Sequence, residues 1–224
     1  MTNLDRNSLI LAVSLSSLAG YVDAVGFLST KGFFVSFMSG NSTRLGVGLG
    51  NPNVENALIA FGIILCFVTG VIAGTLVAAR STKRKRSRVL LVVSGLLAIA
   101  TTAWSFNIPH LGMIAMAMAM GAENAVFQQN GETSIGLTYM TGALVKCGQR
   151  IAAIIYGAPK WDWLPYALLW MGLVVGACLG AWSHALIGPS GLVVAVVWSL
   201  ILAVVSARKS FSEIQIKSGA LDEN

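Results

Sequence analysis

Phe37-Met-Ser-Gly-Asn-Ser-Thr-Arg-Leu-Gly46 returns 102 residues later as Tyr139-Met-Thr-Gly-Ala-Leu-Val-Lys-Cys-Gly148. Met and both glycines are identical, while Phe/Tyr, Ser/Thr and Arg/Lys are chemically matched. Ahead of each copy, Gly20-Tyr-Val-Asp-Ala-Val aligns with Gly121-Ala-Glu-Asn-Ala-Val at an offset of 101. Beyond them, Gly70-x-x-x-Gly74 pairs with Gly172-x-x-x-Gly176 at an offset of 102. Agreement over three separated segments makes the chain two copies of one unit. Each unit reads as a helix, a broken segment and two more helices.

What surrounds the repeats is apolar. The 224 residues are 55% hydrophobic and 11% charged, with mean hydropathy +0.75, whereas soluble domains carry about 25% charged residues. Too few charges remain to cover a water-soluble globule, so 1–224 forms a single membrane domain. Apolar stretches run over Ser8–Leu28, Asn56–Ala79, Val89–Phe106, Pro109–Gln128, Leu164–Leu186 and Ser190–Ser206. Each is long enough to cross a hydrocarbon core of about 30 Å. The first has no small-residue cleavage site and reads as a retained helix rather than a signal peptide. Residues 208–224 read as a polar cytoplasmic tail.

The weaker segments Phe33–Gly50 and Ser134–Tyr156 decide the topology. If they dip in and return, with the Arg80–Arg88 loop in the cytoplasm, both termini are inside and 13 of the 15 Lys and Arg lie there. If all eight segments span, only 7 of 15 do. Lys and Arg concentrate on the cytoplasmic side, so the expectation is six transmembrane helices plus two broken or re-entrant segments. Three crossings per half start the second half from the opposite side. The fold class is therefore an all-α integral membrane protein of two inverted repeats, about 8–106 and 109–207.

The broken segments carry the polar residues. Ser39, Asn41, Thr43 and Arg44 in the first copy, and Thr141 and Lys146 in the second, fall at membrane depth, where irregular backbone is tolerated only inside protein or beside a wet cavity. Inverted-repeat transporters place such segments around a midplane substrate site. Asp23, its repeat mate Asn124 and the adjacent Glu123 add polar groups to spanning helices. Ionisable residues there normally pair and mark solute or proton pathways. Arg44 is the expected partner of Asp23 and Lys146 that of Glu123. The full set is expected to surround one central cavity, or else to form two structural ion pairs. The glycines Gly70, Gly74, Gly172 and Gly176 read as helix-packing positions, with a homodimer contact as the alternative use.

Other features point to no chemistry. Cys66, Cys147 and Cys178 have no metal-ligand spacing, and Met113, Met116 and Met120 recur at helical spacing as packing residues rather than copper ligands. His110 reads as a helix-start residue and His184 as interfacial, while Trp104, Trp161 and Trp163 form an aromatic belt at helix ends. The net charge of +6 reflects topology, not nucleic acid. No nucleophile elbow, phosphate loop or metal cluster is present, so no enzyme activity, cofactor or metal is expected.

Gly20-Tyr-Val-Asp-Ala-Val-Gly-Phe followed by Phe37-Met-Ser-Gly-Asn-Ser-Thr resembles the signature of the YoaK family. Gly121-Ala-Glu-Asn-Ala-Val-Phe and Met140-Thr-Gly resemble its second signature, and the likeness runs from about Leu9 to Val205. Ser39 stands where such proteins often have Thr, which keeps the hydroxyl. The resemblance implies a six-helix, multi-pass protein of the bacterial inner membrane and no particular substrate. The residues themselves favour movement of a small solute through the bilayer, coupled to protons through Asp23 or Glu123. The alternatives are a non-transporting scaffold or accessory subunit and, third, a membrane-embedded enzyme using Asp23 or Glu123.

Overall fold

The computed structural model describes residues 6–30, 32–52, 54–80, 84–129, 132, 133 and 138–222. Lys31, Lys83 and residues 134–137, used in the reading above, lie outside them. The described chain forms α1 (Arg6–Ser29), α2 (Met38–Leu49), α3 (Glu55–Ala79), α4 (Lys85–Ser105), α5 (Pro109–Glu123), α6 (Met140–Ala153), α7 (Leu164–Ile187) and α8 (Leu192–Asp222). Short 3-10 turns at Asn124–Phe127, Ile154–Tyr156 and Gly188–Gly191 follow α5, α6 and α7. A two-residue ladder pairs Gln128–Gln129 with Glu132–Thr133. Local sequence explains the boundaries. A proline sits in the first turn of α5 and of α7, where its missing N–H costs nothing. Gly32 at φ 103° and Gly188 at φ 61° take backbone that other residues avoid.

Four stretches are long and apolar enough to cross a membrane: α1, α3, α4 and the continuous Leu164–Arg208, which contains α7 and most of α8. Their faces are partitioned as lipid requires. On α3, Leu58, Phe61, Leu65, Val68, Ile72 and Leu76 are exposed, while Ala60, Gly70, Gly74 and Ala78 are buried. Spacings of three and four put the exposed set on one face; the buried residues, which also include Ala57 and Ile63, are small except for Ile63. A water-soluble helix would reverse that arrangement. The protein is an all-α membrane protein. Through the residues read as the tail, α8 continues to Asp222; Ser210–Ala220 holds no proline to stop it.

Helix packing is built on glycine. Val13, Ser17 and Tyr21 of α1 present their backbones to Gly172, Gly176 and Gly180 of α7, and Met118 and Ala122 of α5 do the same to Gly70 and Gly74 of α3. Both pairs run parallel. In return, Gly20 meets the Leu173 carbonyl and the Ala177 N–H, and Gly121 meets the Phe67 carbonyl and the Val71 N–H. Leu173 and Ala177 each stand 106 residues beyond Phe67 and Val71, and Ser17 and Tyr21 each stand 101 before Met118 and Ala122. Each backbone approach of the α3–α5 pair thus has its counterpart in α1–α7, while the approach of Val13 to Gly172 has none, because Cys66 stands at the position equivalent to Gly172. The sequence pairing of Gly70 with Gly172 is corrected by one helical turn, because Gly70 occupies the position of Gly176 and Gly74 that of Gly180. Glycines at 172, 176 and 180 make the alignment degenerate by four residues, and only the contacts resolve it.

The remaining helices close the bundle. α4 packs against both α5 and α8, and Ser94 of α4 donates to Ser199 of α8 at 2.8 Å, both buried. Tyr21 donates from its hydroxyl to the Gly191 carbonyl at 2.8 Å and lies 2.7 Å from the Ser183 hydroxyl, tying α1 to the α7–α8 corner. At the other end, Arg86 bonds Ser8 at 3.2 Å and stacks on Phe127, while Lys85 donates to the Gln128 carbonyl. The methionines behave as read: Met116 and Met120 are wholly buried among apolar neighbours.

Candidate functional site

α2 and α6 each begin at the repeated Met-(Ser/Thr)-Gly, α2 after the irregular residues Phe33–Phe37 and α6 after Thr138 and Tyr139. At 12 and 14 residues they reach about 18 and 21 Å at 1.5 Å per residue, short of a membrane's width. The approach to α2 is pinned from two sides. Half-buried Asp23 on α1 accepts the backbone N–H groups of Val35 and Ser36, both at 2.8 Å and both on Oδ1. Wholly buried Asn41 reaches back, its Nδ2 donating to the Phe34 carbonyl at 2.6 Å and its Oδ1 accepting the Phe34 N–H at 3.2 Å. Backbone that leaves a helix inside a bilayer must find such partners, and these two side chains supply them.

The second copy keeps part of this device. Asn124 holds the Met120 carbonyl through Nδ2 at 3.0 Å and accepts the Thr138 hydroxyl on Oδ1 at 3.4 Å. Thr138 stands where Ser36 stands in the first copy. Ala143 replaces Asn41 and cannot clasp the approach.

Both expected ion pairs are absent from the structure. Arg44 does not meet Asp23. Its guanidinium lies over the rings of Phe33 and Phe34, at 5.2 and 6.0 Å, because Asp23 is already committed to peptide N–H groups. Lys146 is exposed and does not meet Glu123. An ion pair joins Arg150 to Asp162 at 3.8 Å, near the end of α6. The single central cavity is corrected as well. Asp23 and Asn124 belong to separate hydrogen-bond sets, and Ser39, Thr43, Thr141 and Lys146 lie on exposed faces of α2 and α6.

Glu123 is left in an unusual position. It is 0% exposed, and neither carboxyl oxygen has a hydrogen-bond partner. It closes α5, next to Ala122, whose carbonyl lies 2.7 Å from where a Gly74 Cβ would sit. By the 101-residue correspondence its mate is Val22, also 0% exposed. The second half therefore carries a carboxyl at a position that the first half fills with an apolar core residue.

Two neighbouring cavities open at the end of the bundle where α1 finishes and α3 begins. One, of about 660 Å³, is lined by Thr43, Arg44, Val47, Asn51 and Asn56. The other, of about 540 Å³, is lined by Ser29, Phe33, Arg44, Asn56, Trp104 and His110, among others. Arg44 and Asn56 belong to both. Sequence reasoning found Arg44 and Thr43 but not the rest. Those residues come from five elements, and Trp104 and His110 individually look like a belt residue and a helix start.

Residues 11–205 match the family model described as "Protein of unknown function (DUF1275)". The chain belongs to this family. It is similar to the UPF0700 transmembrane protein RA0705 of Rhizobium meliloti (strain 1021), 36% identical over 77% of this chain and 74% of that one. It is also similar to the UPF0700 transmembrane protein YoaK of Bacillus subtilis (strain 168), 26% identical over 82% and 84%. The resemblance read from the two signatures is thereby shown. No solved structure matches the chain.

Proposed function

We propose that this protein carries a small solute across the bacterial inner membrane, coupled to protons through Glu123. It does so as six spanning helices in two inverted halves, with α2 and α6 re-entrant on opposite sides and both termini cytoplasmic. Glu123 carries the reading. A carboxyl buried in a membrane bundle without a partner is costly and has a function by default, and here an apolar residue serves at the equivalent position. Asp23 is the weaker candidate for proton handling because its carboxylate already fixes the backbone ahead of α2. The inverted arrangement is supported by the matched backbone contacts of α1–α7 and α3–α5. The Ser94–Ser199 bond adds support, since these residues lie within one position of the 106-residue correspondence of α3 with α7, and near-equivalent residues of α4 and α8 touch only near a shared axis. Alternating access in such proteins rocks one half against the other about that axis.

The test is solute-driven proton movement in proteoliposomes loaded with a pH dye, using gradients of a panel of small organic acids, amines and sugars. Wild type is expected to change internal pH with at least one of them, and Glu123→Gln to lose the response while remaining folded. Equal responses from the two proteins would overturn the assignment of Glu123, and a wild type no better than empty vesicles would overturn proton-coupled transport.

A further inference from the structure

The cavity between α1, α2, α3, α4 and α5 has a chemistry that the transport reading does not use. Arg44 projects into it from α2, held against Phe33 and Phe34 and without a carboxylate at ion-pair distance among the described residues. Behind the lining, the Ser29 Oγ and the Trp104 Nε1 are buried and unbonded, the indole N–H packed against Gly112. The first turns of two long helices also border it, through Asn56 of α3 and His110 of α5. Helix N-termini present free N–H groups and partial positive charge. The acid on the lining is Glu55, which is already partnered. The other walls are apolar, from Phe33, Ile59 and Met113.

We propose that this cavity binds a small organic anion through a carboxylate or phosphate group. The oxyanion meets the Arg44 guanidinium, with Asn56 as a further donor. Its apolar body lies against Phe33, Ile59 and Met113. Arginine suits the task because its planar fork offers two parallel N–H groups to an oxyanion while its face stays stacked on a ring. In the six-span topology the cavity faces the outside, so it samples external solutes. A free solute and an anionic lipid headgroup share this chemistry, and the experiment separates them. Binding here stands apart from transport: saturable binding without flux would count against the transport reading alone.

The test uses the full-length protein in phosphatidylcholine nanodiscs, titrated with benzoate and with inorganic phosphate by calorimetry and followed by thermal melting. Saturable binding of benzoate is expected, with a rise in melting temperature. Arg44→Gln should weaken it at least about tenfold, since the charge-assisted bond is lost. Asn56→Ala, at an exposed lining residue, should weaken it several-fold without changing the melting temperature of the free protein; this variant keeps the idea testable if Arg44→Gln misfolds. Adding phosphatidylglycerol to the nanodisc discriminates the source. Competition with benzoate would identify a lipid headgroup as occupant and uphold the oxyanion site, and unchanged benzoate binding would identify a solute. No saturable binding of benzoate, phosphate or phosphatidylglycerol would overturn the proposal, as would binding unaffected by every variant.

Discussion

Replacing Gly176 by alanine is the sharpest probe of how this bundle is held together. A Cβ there would lie 2.6 Å from the Ser17 carbonyl carbon and 2.8 Å from its Cα, both backbone atoms of α1. Ordinary contact begins near 3.4 Å, so α1 and α7 must separate by roughly 0.8 Å or more, and no side-chain rotation can relieve them. Overpacking of this kind costs about 1–3 kcal/mol. Gly62, on the same kind of helix but with nothing within 4 Å, is the control: Gly62→Ala should gain up to about 1 kcal/mol from helix propensity. Gly172→Ala should fall between, because its nearest neighbours, the Val13 carbonyl at 3.0 Å and the Ser17 hydroxyl at 3.1 Å, can give by a few tenths of an ångström. Melting of detergent-purified variants by fluorescence-detected size exclusion would rank the three. The expected order of stability is Gly62→Ala, then Gly172→Ala, then Gly176→Ala. A Gly176→Ala protein that melts with wild type, or a Gly172→Ala protein as damaged as Gly176→Ala, would refute the backbone-distance packing and the one-turn correction with it.

Two further substitutions separate structural polar groups from functional ones. Asp23→Asn should be tolerated, because both peptide N–H groups bond one oxygen that asparagine retains; Asp23→Ala leaves both buried donors unsatisfied and should cost about 1–3 kcal/mol for each in melting experiments. Glu123→Leu should go the other way, raising stability by about 1–3 kcal/mol by removing an unpartnered buried polar group while abolishing solute-driven proton movement. A destabilised Glu123→Leu protein would mean that the carboxyl has a structural partner.

Much of this fold is written in periodicities that a single sequence exposes. The apolar stretches fell within a few residues of α1, α3, α4 and α7, and the repeated Met-(Ser/Thr)-Gly marked the starts of α2 and α6. Interactions across the bundle were less legible. Opposite charges in equivalent places invited the pairing of Asp23 with Arg44, yet composition cannot reveal that the turn after α1 has peptide N–H groups to satisfy first. The same limit hid the Arg44 cavity, whose members are ordinary residues until five elements gather them. Glu123 was visible as a polar residue in a spanning helix, but its isolation emerges only from the packing around it.

The proposed transport depends on the two halves facing opposite ways, and labelling tests that arrangement without knowledge of the solute. Thr43 on α2 and Lys146 on α6 are both exposed on the described surface. Single cysteines there, in a background with Cys66, Cys147 and Cys178 replaced, can be treated with a membrane-impermeant maleimide in spheroplasts. The inverted arrangement predicts labelling of Thr43→Cys in intact spheroplasts and of Lys146→Cys only after permeabilisation. Labelling of both from the same side would contradict it, and the proposed function would fall with it.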